Sequence, residues 1–326
     1  MKPNALVVMD RRAYRAHFDA ARLARLGRTL TLGNPEWVTE LDSPAALARL
    51  QDAEVLVTSW GAPTLTEERL ACAPRLRAVF HCAGTVRWLL GPPAWARGIR
   101  VSSAADANAI PVAEFTLAAV IFAGKQALFT GTTRPRHEPN LSNFRRTVGI
   151  VGFSRIGRRV VELLGCLDSP ERLVADPYAD PLDVAAAGAT LSDLYDVLPR
   201  SEILSLHAPA LPSTRHMIGA GELALLPDHA TLINTARGSL VDTAALTAEC
   251  RTGRISAILD VTDPEPLPAD HELRHLPNVT ITPHLAGSTG TEVLRLTDYA
   301  LAELDRWLAG EPLLGEVTPE AYSLRA

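Results

Sequence analysis

The feature that most constrains this chain is a repeated unit, a short apolar run followed by a stretch with helical spacing. In the second half the runs 147–152, 173–176, 203–207, 231–235, 255–260 and 279–282 are mostly continuous in Val, Ile, Leu and Ala. A strand with one wet face alternates apolar and polar residues, whereas a continuous run implies that both faces are covered. Covered strands that alternate with helical segments join as βαβ units into a parallel sheet. The runs 5–9, 53–58, 76–80 and 98–102 repeat the pattern in the first third, so the fold class is α/β. A length of 326 residues with 47% hydrophobic residues supplies core for about two domains.

Between the two series, residues 110–127 are apolar around most of a helical circumference, with Pro111 suited to a first helical turn. This predicts a buried or connecting helix. Residues 130–143 are polar and proline-containing, which predicts a loop, and 291–308 has the spacing of a terminal helix that stops before Gly310.

The first run of the second series leads into a glycine-punctuated turn, Gly152-Phe-Ser-Arg-Ile-Gly157. Such a strand–turn–helix aims backbone amides and the positive end of a helix dipole at a pyrophosphate, which points to a doubly wound sheet of the Rossmann type. Gly152 and Gly157 are the first and third glycines of G-x-G-x-x-G, but Ser154 stands at the middle position, where glycine lets the phosphates approach closely. The run 173–176 ends in Asp176, about 20 residues past the turn, where a carboxylate accepts hydrogen bonds from an adenosine ribose. Pro177 and Tyr178 follow it rather than an arginine for a 2′-phosphate, so the expected cofactor is NAD rather than NADP.

Three more segments stand at strand ends, where open α/β sheets place ligands: 234–242 with Arg237, 259–267 with Asp260 and Glu265, and 282–287 with His284. Taken singly, each charged residue is as well explained by a surface ion pair, a loop acid or a packed histidine. Taken in order with the glycine turn and the strand-end acid, the NTARG, DV…EP and TPH segments resemble the D-isomer-specific 2-hydroxyacid dehydrogenases, over nearly the whole chain. The family includes phosphoglycerate dehydrogenases and glyoxylate/hydroxypyruvate reductases.

That resemblance implies a Rossmann-type NAD domain over 105–287 and a flavodoxin-like substrate domain from 1–104 and 288–326, with the active site in the cleft between them. It makes Arg237 the clamp on a substrate carboxylate, a task suited to a planar, permanently charged guanidinium. His284 becomes the acid/base, and Glu265 its orienting partner, expected to favour imidazolium. Around the cofactor it places Gly152, Ser154, Arg155, Ile156, Gly157, Asp176, His207, Thr235, Ala236, Asp260 and His284, with Asp260 near the nicotinamide carboxamide. Around the substrate it places Ser59, Trp60, Ala83, Gly84 and Thr85 with Arg237. Arg87 stands where family members often carry an acid, and is the one nameable cation for a phosphorylated substrate. Asn108 opens the long helix, and a homodimer is implied.

Other classes fit less well. A formal charge of −5 with interspersed signs gives no field for phosphate backbones, so no nucleic-acid partner is expected. The apolar stretch at 115–124 is shorter than the roughly 20 residues of a membrane span, and residues 5–9 are too short for a signal segment. No membrane partner and a cytoplasmic location are therefore expected. Cys72, Cys82, Cys166 and Cys250 lack zinc or disulfide spacing. His271-Glu272-Leu-Arg-His275 satisfies the H-E-x-x-H zinc pattern, but Pro268 and Pro277 leave little helix to carry it, so no metal is expected. The alternative within the fold is a non-enzymatic, NAD(H)-responsive binding protein. Formate or phosphite oxidation is a third, against which Glu265 stands in place of the glutamine usual in formate dehydrogenases.

Overall fold

A computed structural model describes residues 2–129, 141–168 and 171–324; the predicted loop at 130–143 lies mostly outside them. The chain forms two compact units, Met1–Asn108 with Ser288–Ala326, and Ala109–Gly287.

The first unit holds β1 (Asn4–Val8), β2 (Thr31–Val38), β3 (Val55–Thr58), β4 (Ala78–His81) and β5 (Arg100–Ser103). They form one parallel sheet in the order β2-β1-β3-β4-β5, the flavodoxin-like order. Alternate residues feed two cores, as the period of a strand requires. Leu6, Val8, Leu56, Val79 and Val101 pack on one side. Val7, Val57 and Phe80 pack on the other, against Leu26 of the helix Ala20–Thr29 and Leu301 and Leu304 of the helix Val293–Ala309.

The sequence pattern did not reveal β2. Gly33, Asn34 and Pro35 interrupt it, most of its residues are at least partly exposed, and its pairing with β1 slips between Ala5 and Val7. An edge strand tolerates such residues because one side of its backbone needs no ladder partner.

The second unit holds β6 (Thr147–Val151), β7 (Glu171–Ala175), β8 (Thr190–Leu191), β9 (Ile203–Leu206), β10 (Thr231–Asn234), β11 (Ser256–Leu259) and β12 (Val279–Ile281). All pairings are parallel, in the order β12-β11-β10-β9-β6-β7-β8. The direction of winding reverses between β6 and β9, the switch point of a Rossmann-type sheet. Ile150, Ile203, Ile233 and Ile258 face one core, and Leu204, Leu232 and Leu259 the other. The two-residue β8 is too short to carry a sequence signal.

The long helix spans Ala105–Lys125, so Pro111 lies inside it rather than in its first turn as expected. The earlier start is held by the Asn108 N–H donating to the Ala104 carbonyl at 2.9 Å and by Ala104 and Ala107 packing on Leu296. These contacts outweigh the single backbone bond that proline removes. The helix is long and apolar enough to span a bilayer, yet more than half of its most apolar stretch is buried in the protein. Ala113, Val120 and Ala123 join the Ile150 core.

One buried carboxylate ties the C-terminal segment to the first sheet. Glu303 is 1% exposed and accepts from the Ser102 hydroxyl at 2.8 Å and from the Leu314 and Gly315 N–H groups at 3.1 and 2.8 Å. Glu303→Ala leaves these donors unsatisfied and is expected to destabilise the first unit by about 2–3 kcal/mol in urea unfolding. Amide exchange around residues 314–317 should accelerate; an unchanged exchange pattern would refute the clamp.

Candidate active site

β6 ends at Val151, and the chain turns through Gly152 into the helix Arg155–Leu163. Gly152 has φ +96°, and a Cβ there would lie 2.7 Å from the His207–Ala208 backbone. A Cβ on Gly157 would lie 2.0 Å from the Gly152 carbonyl oxygen, so strand, turn and helix close up only with glycine at both positions. Ser154 is the N-cap residue with φ −88°, a value open to any residue, and its exposed side chain makes no capping bond. Serine therefore replaces the middle glycine without backbone strain. Arg155 and Ile156 form the half-buried first turn.

Asp176 follows β7 directly. Its carboxylate accepts the Phe153 N–H at 2.7 Å and the Tyr178 N–H at 2.9 Å, binding the strand end to the turn. His207 follows β9 and is buried; Nε2 pairs with Ser205 Oγ at 2.9 Å, and Nδ1 has no partner among the described residues. Burial pushes its pKa down to about 3, so the ring is neutral. The glycine-only cradle, the helix N-terminus and the orphaned His207 nitrogen at the switch point fit a dinucleotide.

Arg237 stands three residues beyond β10, on a loop stapled by Asn234. The Asn234 amide donates to the Arg237 carbonyl at 2.9 Å, and its oxygen accepts the Ala236 N–H at 3.0 Å. Gly238 lets this loop meet Thr262, whose backbone would be 2.0 Å from a Cβ. Thr235 is buried and shares a 2.9 Å hydroxyl contact with Thr116, while Ala236 is buried beside it. The Arg237 guanidinium donates to the Ala236 carbonyl at 2.7 Å. Burial lowers its pKa from the ordinary value and the Glu265 carboxylate opposes that, yet arginine stays charged.

Asp260, directly after β11, is 2% exposed and clamps the loop that carries His284. One carboxylate oxygen accepts from the Thr282 hydroxyl at 2.6 Å and the Leu285 N–H at 2.9 Å, and the other from the Ala286 N–H at 2.9 Å. The His284 N–H donates to the Asp260 carbonyl at 3.0 Å, and His284 itself sits at φ +51°. This carboxylate, expected near the nicotinamide, thus has loop groups at residues 282–286 as its protein partners. His284 Nδ1 lies 2.5 Å from Glu265 Oε1, both side chains being partly exposed. If Nδ1–H donates to that carboxylate, Nε2 is the nitrogen left to exchange a proton. Glu265, His284, Leu267, Arg274 and Ile281 line one concavity.

In the first unit, Thr58 and His81 are register partners at the ends of β3 and β4, so the segments beyond them lie side by side. Ser59 is buried; its hydroxyl bonds His17 Nε2 at 2.7 Å and donates to the Cys82 carbonyl at 3.3 Å. Trp60 lies against the His17 ring at 5.4 Å. Ala83 is buried, Gly84 and Thr85 are half-buried, and Asn108 accepts the Ser288 N–H at 3.0 Å. Arg87 is directed to the C-terminal helix Pro319–Leu324, donating to the Tyr322 carbonyl at 2.7 Å.

The H-E-x-x-H segment is a single 3-10 turn, Glu272–Arg274. Glu272 pairs with Arg251 at 2.6 Å, and no helix places the two histidines on one face. Asn234, Thr282 and His17 are positioning residues that the sequence reading did not single out. Asn234 carried a local signal, a strand-end Asn able to bond two residues ahead; the other two act through distant partners.

Gly157→Ala is expected to weaken NADH binding at least about tenfold in a fluorescence titration, because the turn must shift away from the new Cβ. Asp260→Asn sets an NH2 group against at least one N–H or hydroxyl donor and should lower the stability of the second unit by about 1–3 kcal/mol. Wild-type amide protection at Ala286 in that variant would contradict the clamp.

Comparison with known proteins agrees with this geometry. Residues 115–286 match the family described as D-isomer specific 2-hydroxyacid dehydrogenase, NAD binding domain. The chain is 33% identical over 304 residues to the D-3-phosphoglycerate dehydrogenase of Methanocaldococcus jannaschii, covering 90% of this chain and 56% of that protein. It is 32% identical over 300 residues to the glyoxylate reductase of Aeropyrum pernix, covering 86% and 87%. The chain thus spans about half the length of the phosphoglycerate dehydrogenases it matches. The crystal structure of D-lactate dehydrogenase with NAD+ from Lactobacillus jensenii shares the fold, with a TM-score of 0.76 at 23% identity over 96% of this chain and 99% of that one. The matched NAD-binding domain and these relatives show that the chain belongs to the D-isomer-specific 2-hydroxyacid dehydrogenase family.

Proposed function

We propose that this protein is an NAD-dependent dehydrogenase that interconverts a small 2-oxo acid and its D-2-hydroxy acid. The observation that carries this reading is the Glu265–His284 pair, with the Glu265 charge acting on Arg237, all at strand ends of a dinucleotide-binding sheet. NAD, when bound, supplies or accepts the hydride.

Each residue then has a task its surroundings support. The Arg237 fork binds the substrate carboxylate and the adjacent carbonyl oxygen, drawing electron density from the carbon that is reduced. Glu265 holds His284 by Nδ1, so that Nε2 delivers a proton to the carbonyl oxygen in reduction and takes it from the hydroxyl in oxidation. Asp260 keeps the His284 loop in place through its backbone amides. The phosphoglycerate and glyoxylate names of the relatives differ in substrate charge, so neither substrate transfers by similarity. The same reading carries a cytoplasmic homodimer, which sedimentation of the purified protein tests for its assembly state.

NADH consumption with a panel of 2-oxo acids tests the activity, and turnover of none would leave the non-enzymatic, NAD(H)-responsive reading. His284→Ala is expected to lower kcat by about 10²–10⁴ while NADH affinity stays within about twofold. Near-normal turnover would refute the acid/base role. Arg237→Lys keeps the charge but loses the planar fork, and should lower kcat/KM for the 2-oxo acid by at least about tenfold.

A further inference from the structure

Resting on the proposed function, the structure of the first unit bears on which 2-oxo acid is taken. We propose that the substrate is a monoanion whose side group is uncharged and apolar, received by the segment 82–86 and the adjacent Trp60 rather than by a second anion site.

A phosphate or second carboxylate on the substrate needs a cation to meet it, since a desolvated dianion is otherwise strongly disfavoured. The end of β4 and the loop after it hold two candidates, His81 and Arg87. His81 is fully buried, and burial together with nearby His17 pushes its pKa down to about 3, so it carries no charge at neutral pH. Arg87 donates to the Tyr322 carbonyl, and its guanidinium lies 5.2 Å from the Tyr322 ring centre. Trp95 braces that latch, with its ring 4.8 Å from Tyr322 and its indole N–H donating to the Val317 carbonyl at 2.8 Å. Withdrawing Arg87 breaks a hydrogen bond and a cation–π contact together.

What the segments after β3 and β4 offer instead is apolar. Trp60 and Trp88 are 37% and 38% exposed, large indoles left partly open beside the loop. Each rests on a buried histidine, Trp60 on His17, whose pKa burial lowers to about 4, and Trp88 edge-on to His81 at 5.6 Å. The Ser59 hydroxyl bridges from His17 to the Cys82 carbonyl, which holds the Trp60 segment against the loop. Rigid aromatic surface with neutral groups behind it favours an apolar side group and rejects a charged one.

The experiment compares kcat/KM for phenylpyruvate and 4-methyl-2-oxopentanoate with that for 3-phosphohydroxypyruvate and oxaloacetate. The apolar pair should exceed the charged pair by at least about tenfold. Arg87→Gln should leave that ratio within about twofold, whereas Trp60→Ala should raise KM for phenylpyruvate at least about fivefold more than it raises KM for glyoxylate, with Trp60→Phe restoring most of the loss. Preference for the charged pair, or collapse of that preference in Arg87→Gln, overturns the proposal. Calorimetric binding of D-phenyllactate and D-3-phosphoglycerate to the NADH-loaded protein, a pair that cannot react because cofactor and hydroxy acid are both reduced, reads the same preference without turnover. Phosphoglycerate binding as tightly as phenyllactate, or binding of neither, overturns it as well. Absence of all NADH consumption with phenyllactate still bound would instead sink the dehydrogenase reading.

Discussion

Both sheets are buried on both faces, and this constraint decides where polar chemistry can exist in the protein. Every residue of β3, β4, β9, β10 and β11 is buried, with hydrophobic contacts on each side. An ionised side chain inside such a layer would lose its hydration without compensation. Charged groups therefore collect just beyond the carboxyl ends of the strands: Asp176 after β7, Arg237 beyond β10, Asp260 after β11, His284 beyond β12. The helix that follows β6 adds its amides at the same end. Chemistry at this edge is a consequence of how parallel sheets are covered.

Asp260 makes the edge a connected unit. Its N–H donates to the Asn234 carbonyl, and Asn234 staples the Arg237 loop. Its carboxylate accepts from Thr282, Leu285 and Ala286, which frame His284. The ends of three neighbouring strands are thus joined through one buried acid, and the two loops that carry Arg237 and His284 share an anchor. A buried carboxylate with three donors is stable where an unpaired one is not. Burial also sorts the histidines. His17, His81 and His207 are held neutral inside the protein, each with at least one ring nitrogen paired, while His284 is partly exposed beside a carboxylate.

Much of this was legible in the chain because its signals are local. Continuous apolar runs marked β6, β9, β10 and β11, and Gly152 and Gly157 marked a turn that, with Asp176 at the next strand end, pointed to a dinucleotide. Other features left no local trace. β2 carries Gly33, Asn34 and Pro35 and shows no strand period, yet it completes the five-stranded order. Pro111 suggested a helix start, but packing of Ala104 and Ala107 carries the helix back to Ala105. His271 to His275 spelled a zinc motif, and the backbone folded it into a 3-10 turn.

The amino-acid sequence by itself determined the α/β class, the parallel strands, the glycine turn and the order of charged residues along the strand ends. Each of these follows from residues within a few positions of one another, through periodicity, glycine conformation and strand direction. Only the tertiary structure decided that Asp260 clamps the His284 loop, that Arg87 is held by Tyr322, and that Ser59 is buried against His17. Those roles depend on which partner lies across a long loop in the chain, as between Arg87 and Tyr322. A side chain's charge and hydrogen-bonding capacity are written in its identity, but the group that uses them is set by packing.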